Sequence, residues 1–195
     1  MPADNSVHYH RGMSLPGPEL IGRASRDAWP GIEIVWDRQW IRRASRGYTK
    51  RANSAQCFDP TDEADAIARI AELTRWFDAR GLPPVVRSTP LEAPGLTAAL
   101  DAAGWRTIDR SHVYAMALGE HDRDPDARLV DVLDPGFLAA QQALQAYSDL
   151  AMTGMCGLLG AIAVPAVGIL IDRDGRAVAS GLMAIADGIV LAGNV

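Results

Sequence analysis

The chain has 195 residues, of which 48% are hydrophobic and 22% charged, the composition of a globular protein rather than of a disordered or collagen-like one. Its formal net charge of −5 argues against nucleic acid as a partner, because binding many phosphates requires a basic surface. Cys57 and Cys156 lie far apart and outside any metal-binding spacing, so we expect neither a zinc site nor a disulfide framework. The N-terminal residues lack the apolar core of a signal peptide, which predicts a cytoplasmic protein.

The first predicted elements are a hairpin and a helix. Residues 32–58 are typical of two long strands joined by a turn at Gly47. Asp59 is followed by a proline, and apolar residues then recur at a spacing of three to four until Gly81. This pattern predicts a capped helix over about 60–80.

The middle of the chain predicts two short strands around a short helix. A strand is expected at 85–89, a helix from Leu96 to a stop at Gly104, and a strand over 105–118, where polar and apolar residues partly alternate. The polar, acidic segment 119–127 contains a proline, so we interpret it as a linker.

After this linker, a strand is predicted over 128–134 and a helix over 135–147, opened by Asp134 and a proline. Three strands follow, with tight turns at Gly175 and Gly188.

Residues 150–171 carry no charge and are long enough to cross about 30 Å of hydrocarbon as a helix. Four glycines, Pro165 and the lack of aromatic or basic anchors argue against a membrane span. We therefore favour a helix before Pro165 and a strand after it, and we expect no membrane association.

The last three strands, "ILIDRDGRAVASGLMAIADGIVLAGNV", resemble the opening half of a GNAT-superfamily N-acetyltransferase. Residues 80–118 are similar to the closing half of the same fold, and the phrase from Gly47 to Ser54 resembles members with two tandem copies. The resemblance implies an α+β fold with mixed, mainly antiparallel sheets and flanking helices. The implied units are an N-terminal extension (1–29), a degenerate GNAT-like half (30–118), the linker (119–127) and an incomplete second GNAT domain (128–195).

The resemblance implies transfer of an acetyl group from acetyl-CoA to the amine of a small molecule or peptide. The family holds the pyrophosphate in a loop of the form Q/R-x-x-G-x-G/A, and this sequence reaches Val195 before any such loop, so we expect a truncated second copy. The corresponding slot of the first copy, 58–67, has four acids and no glycine and would repel a diphosphate. The alternative is a non-catalytic binding or regulatory module that has lost its coenzyme site.

The resemblance also assigns candidate site residues. The backbone at Leu191, Gly193 and Val195 would contact the pantetheine arm and polarise the acetyl carbonyl, although a plain strand remains the simpler interpretation. Asp187 and Tyr147 are the candidate acid–base residues. Equally, an aspartate beside glycine is typical of an ordinary turn. No metal ligand is expected.

A basic cluster lies in the first part of the chain and is interleaved with Trp36, Trp40 and Tyr48. Its members are Arg38, Arg42, Arg43, Arg46, Lys50 and Arg51. Aromatic and basic residues together could stack and neutralise nucleic acid, but we favour a hairpin whose aromatics pack inward. The terminal strand, within 178–195, would present an unpaired edge to a second copy or a complementing chain.

Overall fold

The computed structural model describes residues 15–62, 65–119 and 124–193. These residues form a mixed α+β structure with two antiparallel sheets and five helices. The helices are α1 (Pro18–Ala28), α2 (Ala66–Asp78), α3 (Leu96–Ala102), α4 (Pro135–Gln145) and α5 (Asp149–Leu159). The strands are β1 (Glu33–Asp37), β2 (Trp40–Ala44), β3 (Ala55–Cys57), β4 (Ala127–Val130), β5 (Ala166–Arg173), β6 (Arg176–Ala186) and β7 (Ile189–Gly193).

The first sheet has the order β1-β2-β3, and its hairpin turn differs from the predicted one. The chain reverses between Asp37 and Trp40, which pair with each other, whereas Gly47 lies in the loop that follows β2. The reversal is possible because Arg38 adopts a left-handed conformation with φ 55° and the backbone N–H of Gln39 donates to the Asp62 carboxylate at 3.1 Å. The predicted single long strand is therefore two short ones.

The helix expected over about 60–80 begins later, at Ala66. The Asp59 carboxylate, predicted to cap the helix, instead accepts hydrogen bonds from the backbone N–H (2.8 Å) and the hydroxyl (2.7 Å) of Thr61. This local turn competes with helix formation. The predicted apolar spacing is confirmed further along, where Leu73 and Phe77 are buried against the first sheet.

The strand predicted over 105–118 is absent, and Ile108, Val113 and Met116 are exposed. The predicted strand at 85–89 is reduced to a single parallel bridge between Val86 and Ala55. Alternating polar and apolar residues give a segment one apolar face, but a strand also needs a neighbouring strand to accept and donate its backbone hydrogen bonds. The short helix is confirmed as α3, followed by Gly104 at φ +81°.

The second sheet is an antiparallel meander, β4-β5-β6-β7. Both predicted turns are confirmed: Asp174 and Gly175, like Asp187 and Gly188, have positive φ, as a two-residue hairpin turn of the I′ type requires. Before these strands, the Asp134 carboxylate accepts from the N–H of Phe137 at 2.9 Å and caps α4, as predicted.

The uncharged segment 150–171 divides as predicted, because α5 ends at Leu159 and β5 begins at Ala166. Among the described residues, none of the helices has both the length and the apolar character needed to cross a bilayer.

Two hydrophobic clusters hold these elements together. One packs Trp40 and Ala55 of the first sheet against Phe77 of α2 and Leu96 of α3. The other surrounds Phe137 of α4 and is formed by α5, β5, β6 and residues from before β3. Residues of this second cluster are Trp29, Tyr48, Ala52, Phe137, Ala140, Met155, Leu158, Leu159, Leu170 and Leu182.

Glycines permit two of the close approaches in the second cluster. A Cβ at Gly154 of α5 would lie 2.5 Å from Cβ of Tyr48, and one at Gly168 of β5 would lie 2.8 Å from the Phe137 ring. Helix α1 contacts β6 and β7, and its Gly22 faces Phe58, which follows β3. Thus α1 contacts both the second sheet and the end of the first.

Candidate functional site

Arg42 and Arg43 are neighbours on β2, so their side chains lie on opposite faces of the first sheet. On the α2 face, the buried Arg42 guanidinium donates to Oε1 of Glu72 at 2.9 Å and to Oδ2 of Asp37 at 3.2 Å. The pKa of Glu72 is lowered, mainly by this hydrogen bond. The positive charge of Arg42 is therefore matched by two carboxylates, although its Nε has no hydrogen-bond partner.

The same face holds a second buried arginine with two carboxylates. Arg69 of α2 lies 3.1 Å from Oδ1 of Asp62 and 3.5 Å from Oδ2 of Asp37, and its guanidinium is 5.5 Å from the Trp40 ring centre. Burial acts to raise the pKa of Asp62, but the N–H of Gln39 and the charge of Arg69 outweigh burial and lower it. We call Asp37, Arg42, Asp62, Arg69 and Glu72 the paired network.

The opposite face carries an arginine whose environment is different. Arg43 is 0% exposed; it donates to the Trp29 carbonyl at 3.4 Å and to Oγ of Ser54 at 3.1 Å, while its Nε has no partner. Burial lowers its pKa to about 9, and the positive charges of Arg87, Arg51 and Arg26 act in the same direction. Arg43 is thus desolvated among like charges.

Two of these neighbours also lack a carboxylate partner. Partial burial of the guanidinium groups lowers the pKa of Arg87 and of Arg51, and Arg87 donates to Oε1 of Gln56 at 3.4 Å. Within the described part of the chain, no carboxylate lies within 4.0 Å of the guanidinium of Arg43, Arg51 or Arg87. We call Arg43, Arg51 and Arg87 the unpaired cluster. Arg26 differs, because Asp27 pairs with it at 2.6 Å.

The predicted basic cluster is therefore split by the fold. Arg38 contacts Asp62 at 3.5 Å and Lys50 pairs with Asp109 at the surface, while Arg43 and Arg51 remain unmatched. Trp40 and Tyr48 pack inward, as predicted, but Trp36 is 47% exposed. Sequence reasoning missed Arg87 and Gln56, which no local signal connects with Arg43.

The strand predicted to contact a coenzyme is β7. Leu191 and Gly193 line a cavity of about 30 Å³ under α1, together with Trp29 and Arg51. This volume accommodates about one water molecule. Val195 lies outside the described residues. The outer edge of β7 has no strand partner in the described part of the chain, where the sheet ends at this strand.

The two acid–base candidates lie on different elements. Asp187 has φ 50° in the β6–β7 turn, and its half-exposed carboxylate is 3.8 Å from Nε of Arg23. Tyr147 follows α4 and packs edge-to-face on Tyr48, with ring centres 5.6 Å apart. Asp187 lies just before β7 begins at Ile189, whereas Gly193 is the last residue of β7, so Asp187 and Gly193 are at opposite ends of this strand.

Neither cysteine is placed as a nucleophile. Cys57 is buried in β3 and its thiol donates to the Asp59 carbonyl at 3.2 Å; burial raises its pKa. Cys156 lies half-buried on α5. In residues 15–62, 65–119 and 124–193, no three or more His, Cys, Asp or Glu side chains are grouped to hold a metal ion.

The two antiparallel sheets and five helices of the described residues define an α+β protein. A sequence profile of the family described as "Probable histone acetyltransferase Rv0428c C-terminal" matches residues 20–181. The chain belongs to this family.

A relative of known organism supports the same assignment. The probable histone acetyltransferase Rv0428c of Mycobacterium tuberculosis (strain ATCC 25618 / H37Rv) is 35% identical over 107 residues, which cover 53% of this chain and 32% of the relative. The aligned part is therefore less than two thirds of the relative's length. No solved structure matches the chain. At the level of the family, these similarities suggest acetyltransferase activity.

Proposed function

We propose that the chain is part of an acetyl-CoA-dependent N-acetyltransferase with an amine acceptor. The observation that carries this proposal is the match of residues 20–181 to a family described by acetyltransferase activity. The order β4-α4-α5-β5-β6-β7 supports it, because it resembles the opening half of the GNAT fold. In the reaction, the amine attacks the thioester carbonyl, the C–N bond forms, the C–S bond breaks, and the amine proton passes to the thiolate.

We assign the pantetheine arm to the open edge of β7 rather than to its covered face. The cavity under α1 is about 30 Å³, which is too small for such an arm. Edge N–H and C=O groups, by contrast, can pair with an extended ligand as a further strand would. The backbone near Leu191 and Gly193 would then polarise the acetyl carbonyl.

Asp187 is the candidate general base, but it lies before β7, roughly 13 Å along the strand from Leu191, so its half-exposed carboxylate would receive the amine proton through a relay of water molecules. Asp187→Asn should lower kcat by about 100-fold or more. Asp174→Asn is the matched control, since Asp174 occupies the same position in the β5–β6 turn, with φ 51°. Equal rates for the two variants would leave Asp187 as a turn residue, and Tyr147→Phe would then test the other candidate.

The activity assay combines the purified chain, acetyl-CoA and a histone-tail peptide. Release of free thiol and acetylation of the peptide, measured by absorbance and mass spectrometry, should rise together. Direct attack requires both substrates on the protein at once, so intersecting initial-rate lines are expected. Parallel lines, the pattern of a covalent intermediate, would contradict the proposed mechanism.

A non-catalytic module on the same scaffold is the second candidate. It is favoured by residues 58–67, which have four acids and no glycine, since glycine lets a backbone approach a pyrophosphate closely and carboxylates repel it. Calorimetric titration with acetyl-CoA separates the two candidates. Low-micromolar binding favours the enzyme, whereas no binding and no thiol release favour the module.

A further inference from the structure

The unpaired cluster is assembled by the pairing of the first sheet. Ile41 pairs with Gln56, and side chains two residues apart share a face, so Arg43 lies on the Gln56 side. Val86 bridges Ala55, which places the next residue, Arg87, on that side as well. Its hydrogen bond to Gln56 agrees with this geometry.

Ser54 links the backbone of Arg51 to the side chain of Arg43. The Ser54 hydroxyl donates to the Arg51 carbonyl at 2.8 Å and accepts from Arg43 at 3.1 Å. Arg51 is exposed, Arg87 is half-buried and Arg43 is fully buried. The three arginines therefore differ in exposure, from Arg51 at the surface to the fully buried Arg43.

The unpaired cluster differs from the other buried arginines of the first sheet and α2. Arg42 and Arg69 are nearly as deeply buried as Arg43, and each has two carboxylates within 3.5 Å. Burying a cation without a counter-ion is strongly unfavourable, and three like charges add mutual repulsion. The cluster therefore carries positive charge that no carboxylate among the described residues balances.

Unused hydrogen-bond donors point to the same conclusion. Nε of Arg43 and Nε2 of Gln56 are buried, and neither has an acceptor; Nε of Arg42 in the paired network also lacks one, but only the first two lie on the face without carboxylates. Buried polar atoms in folded proteins are nearly always satisfied. An oxyanion between Arg43, Gln56 and Arg87 would accept from both.

We propose that Arg43, Arg51 and Arg87 form a binding site for a phosphate group. Guanidinium groups bind phosphate oxygens in pairs, and a phosphate dianion, unlike a carboxylate, carries more than one charge to set against three cations. Arg51 would bind the solvent-exposed side of the phosphate group, and Arg43 and Gln56 would bind its buried side. This site does not depend on the proposed acetyl transfer.

Binding is tested with inorganic phosphate and, separately, with adenosine 3′,5′-bisphosphate, by calorimetry and thermal unfolding at constant ionic strength. We expect saturable binding of at least one probe and a higher Tm. Stronger binding of the bisphosphate would identify a nucleotide as the source of the phosphate group, and equal binding would identify free phosphate.

Variants then locate the site. Arg87→Gln and Arg51→Gln should each weaken binding at least tenfold, while Arg106→Gln, at an exposed arginine outside the cluster, should bind as the parent does. Circular dichroism checks that each variant is folded. Unsaturable binding of both probes, or equal affinity in all three variants, would overturn the proposal. Because no acetyl-CoA is present, failure here leaves the acetyltransferase assay unaffected.

Discussion

The two faces of the first sheet treat the same residue type in opposite ways. On one face, Arg42 and Arg69 are buried with carboxylates; on the other, Arg43 is buried with Arg51 and Arg87 nearby and no carboxylate within 4.0 Å in the described residues. The comparison teaches that burial by itself does not tell whether an arginine stabilises the fold, because the number of carboxylates around it also matters. A cation matched by carboxylates stabilises the fold, whereas the unmatched Arg43 is the basis of the proposed phosphate site.

The largest expected effect comes from breaking the paired network. Asp62→Ala should lower the free energy of unfolding by about 3 kcal/mol, because it leaves the buried Arg69 with an incomplete set of partners. Urea unfolding measures the change. The control is Glu19→Ala, which removes an exposed ion pair with Arg23 and should cost less than about 1 kcal/mol. Similar losses in both variants would refute the distinction between buried and exposed pairs.

The same carboxylate predicts an acid-sensitive part of this stability. The folded-state pKa of Asp62 is lowered, so its contribution is complete above its ordinary pKa of about 4 and is lost as pH falls through the lowered value. The difference in unfolding free energy between the parent and Asp62→Ala should be constant from about pH 6 to 8 and shrink below about pH 4. A difference that persists unchanged at about pH 2 would contradict this account.

A smaller effect is expected where the loop between β2 and β3, which carries Arg51, packs on α5. Gly154→Ala should destabilise the protein by about 1–3 kcal/mol, since the added Cβ would overlap Tyr48. Gly95→Ala is the matched control, because nothing lies within 4 Å of its Cβ position, and a change within about 0.5 kcal/mol is expected. If both substitutions are neutral in thermal unfolding, the loop does not pack on α5 as described.

The smallest effect has the opposite sign. Without phosphate, Arg87→Gln should raise the free energy of unfolding by up to about 1 kcal/mol, because it removes a half-buried charge that repels the buried Arg43. Arg106→Gln should change it by less than about 0.5 kcal/mol. A clear loss of stability in Arg87→Gln would place that residue with the paired arginines instead.

Local chemistry made several elements predictable. The Asp-Gly turns before β6 and β7, the Asp134 cap of α4 and the division of 150–171 at Pro165 each depend on a few adjacent residues. The wrong predictions depend on distant partners. Asp59 caps a turn with Thr61 rather than a helix, and 105–118 has the alternation of a strand but no neighbouring strand.

The sequence by itself determined the α+β class, the meander and the presence of a basic, aromatic segment, because periodicity, turn residues and charge are properties of neighbouring positions. Only the tertiary structure decided which arginines would be neutralised. Glu72 and Asp62 reach one face of β2, while Arg87, 44 positions after Arg43, reaches the other. Strand pairing brings these charges together, and electrostatic energy depends on their distance in space rather than along the chain.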